Sequence, residues 1–187
     1  MDGKQLKYEN PLRLAELKPE ETLLRIGLSI DHTVVDIGAG SGIFTFPAAR
    51  ITKNKVFALE ISEDMLAIIA DKAKNEGSDN IELMKVEDSI FPLASDSIDI
   101  ALMVTVLHEI DNQPAMLAEI KRVLHKQGKL AIIEFHKRET PMGPPVIKRI
   151  DEGALAGVLA SAGFVQSDSF HLGENFYCSI FLVKAAD

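Results

Sequence analysis

The architecture of this chain is set by residues 34–42, which read VVDIGAGSG. A β-branched run ends in Asp36, and glycines then follow at alternate positions, at 38, 40 and 42. Residues 43–50 can continue as a helix, so the segment predicts a strand, a tight turn and a helix. Glycine tolerates positive φ and lets a ligand approach the main chain, while the first amides of the helix point into the gap. This combination predicts a pocket for a nucleotide-like cofactor.

Two details of the turn bear on which cofactor it holds. A dinucleotide fingerprint has its third glycine three residues after the second, at position 43, but Ile43 stands there. Asp36, two residues before the first glycine, would repel a diphosphate at short range. S-adenosylmethionine has no phosphate, and its ammonium and sulfonium groups are cationic. The turn therefore favours S-adenosylmethionine over NAD, although three glycines by themselves are equally consistent with a turn that merely connects a strand to a helix.

Length and composition are those of an ordinary globular protein, with 187 residues, 47% hydrophobic and 26% charged. They predict one domain over residues 1–187, with a helical lead-in at 1–30 and a core at 31–187. No apolar run approaches the roughly 20 residues of a membrane span, and the first residues do not resemble a signal peptide. The expected location is cytoplasmic.

Charge and cysteine content limit the classes of ligand and of site that can be expected. A formal net charge of −8 argues against nucleic acid, whose backbone is neutralised by clustered Lys and Arg, and favours a small-molecule substrate. Cys178 is the only cysteine, which excludes a disulfide within the chain and a cysteine-rich metal site, and it is expected to be simply buried.

Acidic residues follow the second and third predicted strands. Glu60 ends the apolar run 55–59 and lies 22 residues after Gly38, close to the spacing at which an acid meets a ribose. The alternative is a solvated carboxylate at a strand end. Glu87 and Asp88 follow the strand at 81–86, where they can face an adenine, because ligands of such sheets bind at the carboxyl ends of the strands.

The rest of the chain continues the alternation of strands and helices. It predicts a strand at 96–104, a helix at 115–124 ended by Gln127-Gly128, a strand at 129–135, a loop at 137–145, a helix capped by Asp151, and a closing hairpin of 164–172 and 176–184. The expected fold class is α/β, a doubly wound sheet with an antiparallel end.

Five segments in this order resemble the successive motifs of class I S-adenosylmethionine-dependent methyltransferases. The subgroup is the one similar to ubiquinone/menaquinone C-methyltransferases, also called methyltransferase type 11. The segments are residues 36–42, 60–65, 91–93, 107–110, and 120–124 with Gly128. The resemblance implies a Rossmann-like, seven-stranded sheet of order 3-2-1-4-5-7-6, with strand 7 antiparallel, and S-adenosylmethionine as cofactor.

By motif position, the resemblance assigns cofactor binding to one set of residues: Asp36, Gly38, Ala39, Gly40, Glu60, Ile61, Met65, Glu87, Asp88 and Val104. The chain departs from the pattern at Glu60 and Glu87, where the family often has Asp, and at Gln127-Gly128, where it often has Gly-Gly.

The chemistry expected of such an enzyme is mainly positioning. The methyl group on a sulfonium is already activated, so the protein has to hold a nucleophile in line with the S–CH₃ bond and exclude water. His108 is the candidate general base, since neutral imidazole is available at pH 7. The alternative for His108 is a residue at a helix start that packs against the core.

Several further residues are candidates for the substrate pocket. Glu134 and His136 share one face of the predicted strand at 129–135, and Tyr8 and Arg13 belong to the lead-in. Lys148 and Arg149 suit either an anionic substrate or a solvated basic pair. A His/Glu pair without a third ligand at suitable spacing predicts no metal site.

The function expected from these residues is methyl transfer from S-adenosylmethionine to a small-molecule acceptor. The alternative is a module that binds S-adenosylmethionine without catalysis of its own, as a partner-dependent subunit. Turnover to S-adenosylhomocysteine would distinguish the two.

Overall fold

The structure is a computed structural model and describes residues 9–87 and 89–185. Its centre is a seven-stranded sheet. The strands are β1 (Val34–Ile37), β2 (Val56–Glu60), β3 (Ile81–Lys85), β4 (Ile98–Val104), β5 (Leu124–Phe135), β6 (Phe164–Leu172) and β7 (Phe176–Val183). Their order is β3-β2-β1-β4-β5-β7-β6. Strands β1 to β5 pair in parallel, and β7 runs antiparallel to both β5 and β6, which confirms the predicted fold.

Helices cover both faces of this sheet. They are α1 (Pro11–Leu17), α2 (Pro19–Ile26), α3 (Thr45–Ile51), α4 (Glu63–Glu76), α5 (Gln113–Val123) and α6 (Glu152–Ser161). Two clusters of buried hydrophobic residues lie on opposite faces of the sheet, and alternate residues of β4 belong to one or the other. Met103 packs in the cluster that includes α5 and α6, whereas Leu102 packs in the cluster that includes α1 and α2. A parallel strand buried on both faces has this pattern. Among the described residues, no helix has the length and apolar character needed to cross a bilayer.

Three helices begin with residues that favour a helix start, among them the predicted cap at Asp151. Pro19 is the first residue of α2, where its missing N–H costs nothing. The Ser62 side chain accepts a hydrogen bond from the Met65 amide at the start of α4. The Asp151 side chain accepts from the Gly153 and Ala154 amides at the start of α6. Side-chain acceptors at these positions satisfy amides that the helix leaves unpaired.

The end of α5 was predicted wrongly. Gln127-Gly128 does not end the helix, because α5 stops at Val123 and these residues lie inside β5. The reason is strand pairing: Leu124 is buried and already pairs with Ile98 of β4, ahead of a register shift between Ile98 and Ile100. The pairing begins too close to the helix to leave a separate loop.

The loop between β5 and α6, residues 136–151, is held by Arg149. Its guanidinium donates to the carbonyl oxygens of Pro144 (2.8 Å), His136 (3.1 Å), Arg138 (2.6 Å) and Met142 (3.1 Å). Arg149 is buried, so both interpretations of it from the sequence are wrong: it neither faces a substrate nor forms part of a solvated pair. Lys148 beside it is exposed.

We expect Arg149→Ala to lower the melting temperature by about 5–10 °C, because it removes hydrogen bonds to four carbonyls, an effect of roughly 2–4 kcal/mol. Lys148→Ala, which removes an exposed charge at the neighbouring position, should change the melting temperature by no more than about 1–2 °C. Differential scanning calorimetry compares the two variants with the parent. Equal shifts for both would show that the loop does not depend on the Arg149 contacts.

Candidate active site

A cavity of about 700 Å³ opens at the carboxyl ends of β1, β2 and β4. Its size is that of a site for one or two small molecules. The walls come from the residues that follow these strands, from α1, and from the loop between β5 and α6, which contributes Met142, Gly143 and Pro144. This is the edge of an open α/β sheet at which ligands bind.

The glycine turn forms the floor of the cavity. Gly38 and Gly40 have φ values of 70° and 56°, in the left-handed region that residues with a side chain rarely adopt. A Cβ on Gly38 would also lie 2.6 Å from a methyl group of Val106. The turn therefore needs glycine for its backbone conformation and for its close contact with the residues after β4.

Glu60 ties the turn to the end of β2. Its Oε2 accepts a hydrogen bond from the Gly40 amide (2.8 Å), and its Oε1 accepts from the amides of Ile61 (2.9 Å) and Ser62 (3.0 Å). A carboxylate has about four acceptor positions, and bonds from the described residues use three of them. The carboxylate is thus fixed by the main chain at the cavity wall, and the alternative of a solvated strand end does not hold, since Glu60 is 8% exposed.

Asp36 lies beneath the turn and is 2% exposed. Thr45 at the start of α3 donates its hydroxyl proton to Asp36 Oδ2 at 2.6 Å. Burial raises the pKa of Asp36 from 3.8 to about 6, the hydrogen bond from Thr45 opposes this rise, and the charge of Glu60 adds to it. A nearby cationic ligand would stabilise the ionised form of this carboxyl group.

His108 and Glu134 form a buried pair beside the cavity. The His108 Nδ1 lies 2.8 Å from Glu134 Oε2, and the His108 amide donates to Oε1 at 3.3 Å. The two side chains are 3% and 1% exposed. His108 lines the cavity, in the short 3-10 turn after β4, whereas Glu134 lies behind it on β5 and is not part of the cavity wall. A carboxylate in this position fixes the orientation and tautomer of the imidazole.

Arg13 brings a positive charge to the same cavity from α1. Its Nη2 donates to Thr105 Oγ1 at 2.8 Å, and its guanidinium lies over the rings of Phe135 and Phe176. Thr105 follows β4 and has a φ of 57°, which is rare for a β-branched residue. Such backbone strain is concentrated at functional sites.

The structure brings most of the sequence-predicted site residues together. The residues among them that line the cavity are Arg13, Asp36, Gly38, Ala39, Gly40, Glu60, Ile61, Met65, Glu87, Val104 and His108. Glu134 reaches the cavity only through His108. His136 does not line it and instead contacts Glu152 and His171. Tyr8 and Asp88 lie outside the described residues.

A family model described as a methyltransferase domain matches residues 35–132, just over half of the 187-residue chain. The chain belongs to the class I S-adenosylmethionine-dependent methyltransferases. The matched segment contains the glycine turn, Glu60, β4 and His108, and therefore most of the cavity described above.

Similarity to individual proteins agrees with this family assignment. A solved S-adenosylmethionine-dependent methyltransferase from Aquifex aeolicus superposes with a TM-score of 0.90 at 28% identity, over 98% of this chain and 99% of that one. The ubiquinone/menaquinone biosynthesis C-methyltransferase UbiE of Hahella chejuensis is 27% identical over 79% of this chain and 59% of its own length. The 2-phytyl-1,4-naphtoquinone methyltransferase of Synechocystis is 31% identical over 59% of this chain and 48% of its own length. The chain thus spans roughly half the length of these two curated relatives.

The cavity has the charge that a cationic cofactor needs. Among the residues that the structure describes, five carboxylates line it, against one guanidinium, that of Arg13; the five are Asp36, Glu60, Glu87, Glu109 and Asp111. The buried hydroxyl of Ser41, also in the wall, has no hydrogen-bond partner among the described residues. An unpaired buried hydroxyl costs free energy that a ligand can recover. The residues present therefore fit S-adenosylmethionine and do not fit a diphosphate.

Sequence reasoning missed some of these residues. Ser41 stands inside the glycine motif, but nothing in its type or spacing indicates an unpaired hydroxyl. The pairing of His108 with Glu134 joins positions 26 residues apart. The available signal is that both positions lie at the carboxyl ends of predicted strands that are neighbours in the sheet. Glu109 and Asp111 lie in the segment after β4, close to His108, and could have been found by the same rule.

The raised pKa of Asp36 has a consequence for stability. Between pH 3.8 and about 6 the folded chain holds a proton that the unfolded chain has released. The free energy of unfolding therefore falls as pH rises through this range, by about 3 kcal/mol from this one group.

We expect Asp36→Asn to be more stable than the parent at pH 7.5, with an advantage that shrinks toward pH 4.5, as measured by urea unfolding at each pH. Asp71→Asn, which removes an exposed carboxyl group of α4, is the matched control. A pH-independent difference for Asp36→Asn would contradict the argument.

Proposed function

We propose that this chain transfers a methyl group from S-adenosylmethionine to a small-molecule acceptor. The observation that carries the proposal is the link between Glu60 and the Gly40 amide, which fixes a carboxylate and the glycine turn in one cavity wall. The names of the curated relatives refer to quinones, and this supports a small molecule as the acceptor.

The residues proposed to hold the cofactor fall into two groups. Asp36 with the turn residues Gly38 to Gly40 would bind the cationic methionine part, since a buried carboxylate and a main chain without bulky side chains line the cavity there. Glu60, Ile61, Met65 and Glu87 would surround the adenosine part. When bound, S-adenosylmethionine supplies a methyl group that its sulfonium has already activated. The contribution of the chain is to hold the acceptor in line with the bond that breaks and to exclude water, an effect worth several kcal/mol.

His108 is proposed as the general base for an acceptor that carries a proton. Its Nδ1 is held by Glu134, so the other nitrogen, Nε2, is the one available for proton transfer. Glu109 Oε1 lies 3.7 Å from this Nε2 and stabilises the imidazolium that forms when His108 accepts the proton. Glu134 acts through His108 and is thus a positioning residue.

The acceptor end of the cavity favours an apolar molecule with one polar oxygen. Ile110, Met116, Phe135 and Met142 supply apolar walls, and Arg13 supplies a positive charge close to Thr105. An acceptor with a ring and a hydroxyl or an ionised oxygen fits these surroundings. Binding of the ring against Phe135 would bring its oxygen toward Arg13.

The proposed function is tested by release of S-adenosylhomocysteine with a panel of quinols, phenols and amines. We expect release above the acceptor-free rate with at least one quinol or phenol and less with the amines. Binding of S-adenosylmethionine without release for any member of the panel would favour the alternative, a binding module that depends on a partner for catalysis.

A further inference from the structure

Three potential metal ligands meet on the sheet face beneath α6, outside the cavity. They are His136 directly after β5, Glu152 at the start of α6 and His171 in β6. Glu152 Oε1 lies 3.3 Å from His136 Nδ1 and 3.4 Å from His171 Nε2. The two imidazole rings are nearly perpendicular, with centroids 4.7 Å apart. All three ligand atoms lie within 4.8 Å of one another.

These distances match the edges of a metal coordination sphere. Zn²⁺ binds imidazole nitrogen and carboxylate oxygen at about 2.0–2.2 Å, so neighbouring ligand atoms in a tetrahedral site are about 3.3 Å apart. The two contacts of Glu152 already have this length. Only the separation of the two histidines has to shorten, and His171, whose side chain is 66% exposed, has the freedom to rotate.

We propose that His136, Glu152 and His171 form a binding site for a divalent transition-metal ion of the Zn²⁺ type. Two imidazoles and one carboxylate suit such ions better than Ca²⁺ or Mg²⁺, which prefer oxygen ligands. Exposure of His171 provides a path for entry from solvent, and the remaining coordination positions are left to water.

The site would join both ends of the loop that borders the cavity. His136 begins this loop and Glu152 follows its last residue, while Met142, Gly143 and Pro144 within it line the cavity. A bound ion would link the two ends of the loop. This link would add to the hydrogen bonds that Arg149 donates to the carbonyl groups of the loop. The metal would thus restrict one wall of the acceptor pocket without contacting the cofactor.

The test is a Zn²⁺ titration of the full chain, freed of any histidine tag and treated with a chelator beforehand. We expect one Zn²⁺ per chain by isothermal titration calorimetry and a rise in melting temperature of about 5–10 °C at a hundredfold excess over the Kd. Co²⁺ in place of Zn²⁺ should show visible absorption bands of a nitrogen- and oxygen-bound ion.

Two single variants separate this site from surface binding. His171→Gln and Glu152→Gln should each raise the Kd for Zn²⁺ about tenfold or more and remove most of the rise in melting temperature. His125→Gln, at an exposed histidine in β5, should behave as the parent. The proposal is overturned if Zn²⁺ leaves the melting temperature of the parent unchanged, or if His171→Gln and Glu152→Gln bind Zn²⁺ as tightly as the parent.

Discussion

Glu60→Ala should weaken the binding of S-adenosylmethionine about 100-fold or more. The side chain accepts hydrogen bonds from Gly40, Ile61 and Ser62, and we propose that its remaining acceptor position binds a ribose hydroxyl. Each hydrogen bond to a charged group contributes about 1.5–3 kcal/mol. The variant loses the bond to the ligand and the bond that fixes the glycine turn, and these two losses together account for a decrease in affinity of about 100-fold. Isothermal titration calorimetry with S-adenosylmethionine measures the change.

A matched control is Glu82→Gln, which removes an exposed carboxylate of β3 that pairs with Lys55 outside the cavity. Its affinity for S-adenosylmethionine should stay within about twofold of the parent, since surface ion pairs contribute little. The melting temperature of each variant, measured without ligand, separates loss of the binding site from loss of the fold. Parent-like affinity in a folded Glu60→Ala chain would refute the assignment of the cofactor to this turn.

The fold was predictable because its signals are local and repeat. The glycine turn, the strands buried on both faces and the helix caps at Ser62 and Asp151 each depend on residues close together in sequence. Parallel strands then bring their carboxyl ends to one edge, so the neighbourhood of Asp36, Glu60 and Glu87 follows from the order of the strands. The cavity wall was accordingly predicted in large part from the sequence.

The remaining features depend on contacts between distant segments. Arg149 was misjudged because a buried guanidinium that holds four carbonyl groups has no sequence pattern that distinguishes it from a solvated one. The contact between His171 and His136 could not be predicted, because the two residues come together across β7 only through the antiparallel pairing of the last three strands. The prediction of no metal site considered His136 with Glu134, whereas the structure places His136 against Glu152.

The second large effect is expected at His108. With the most active acceptor from the panel, His108→Gln should lower kcat about 100-fold or more, because it removes the base while keeping a side chain of similar shape. The Kd for S-adenosylmethionine should stay within about twofold of the parent, since the proposed role of His108 concerns the acceptor. His125→Gln serves as the control for loss of a histidine elsewhere. An unchanged kcat in His108→Gln would exclude general-base catalysis by this residue.

Glu134→Gln tests whether the buried carboxylate acts through His108. It should also lower kcat, because an amide at this position stabilises the imidazolium less well than a carboxylate does. The double variant is decisive. If Glu134 only orients and supports His108, the double variant should lose no more activity than His108→Gln alone, since residues that act as a unit are not additive. If the two losses instead multiply, Glu134 has a role of its own and the two residues do not form a catalytic pair.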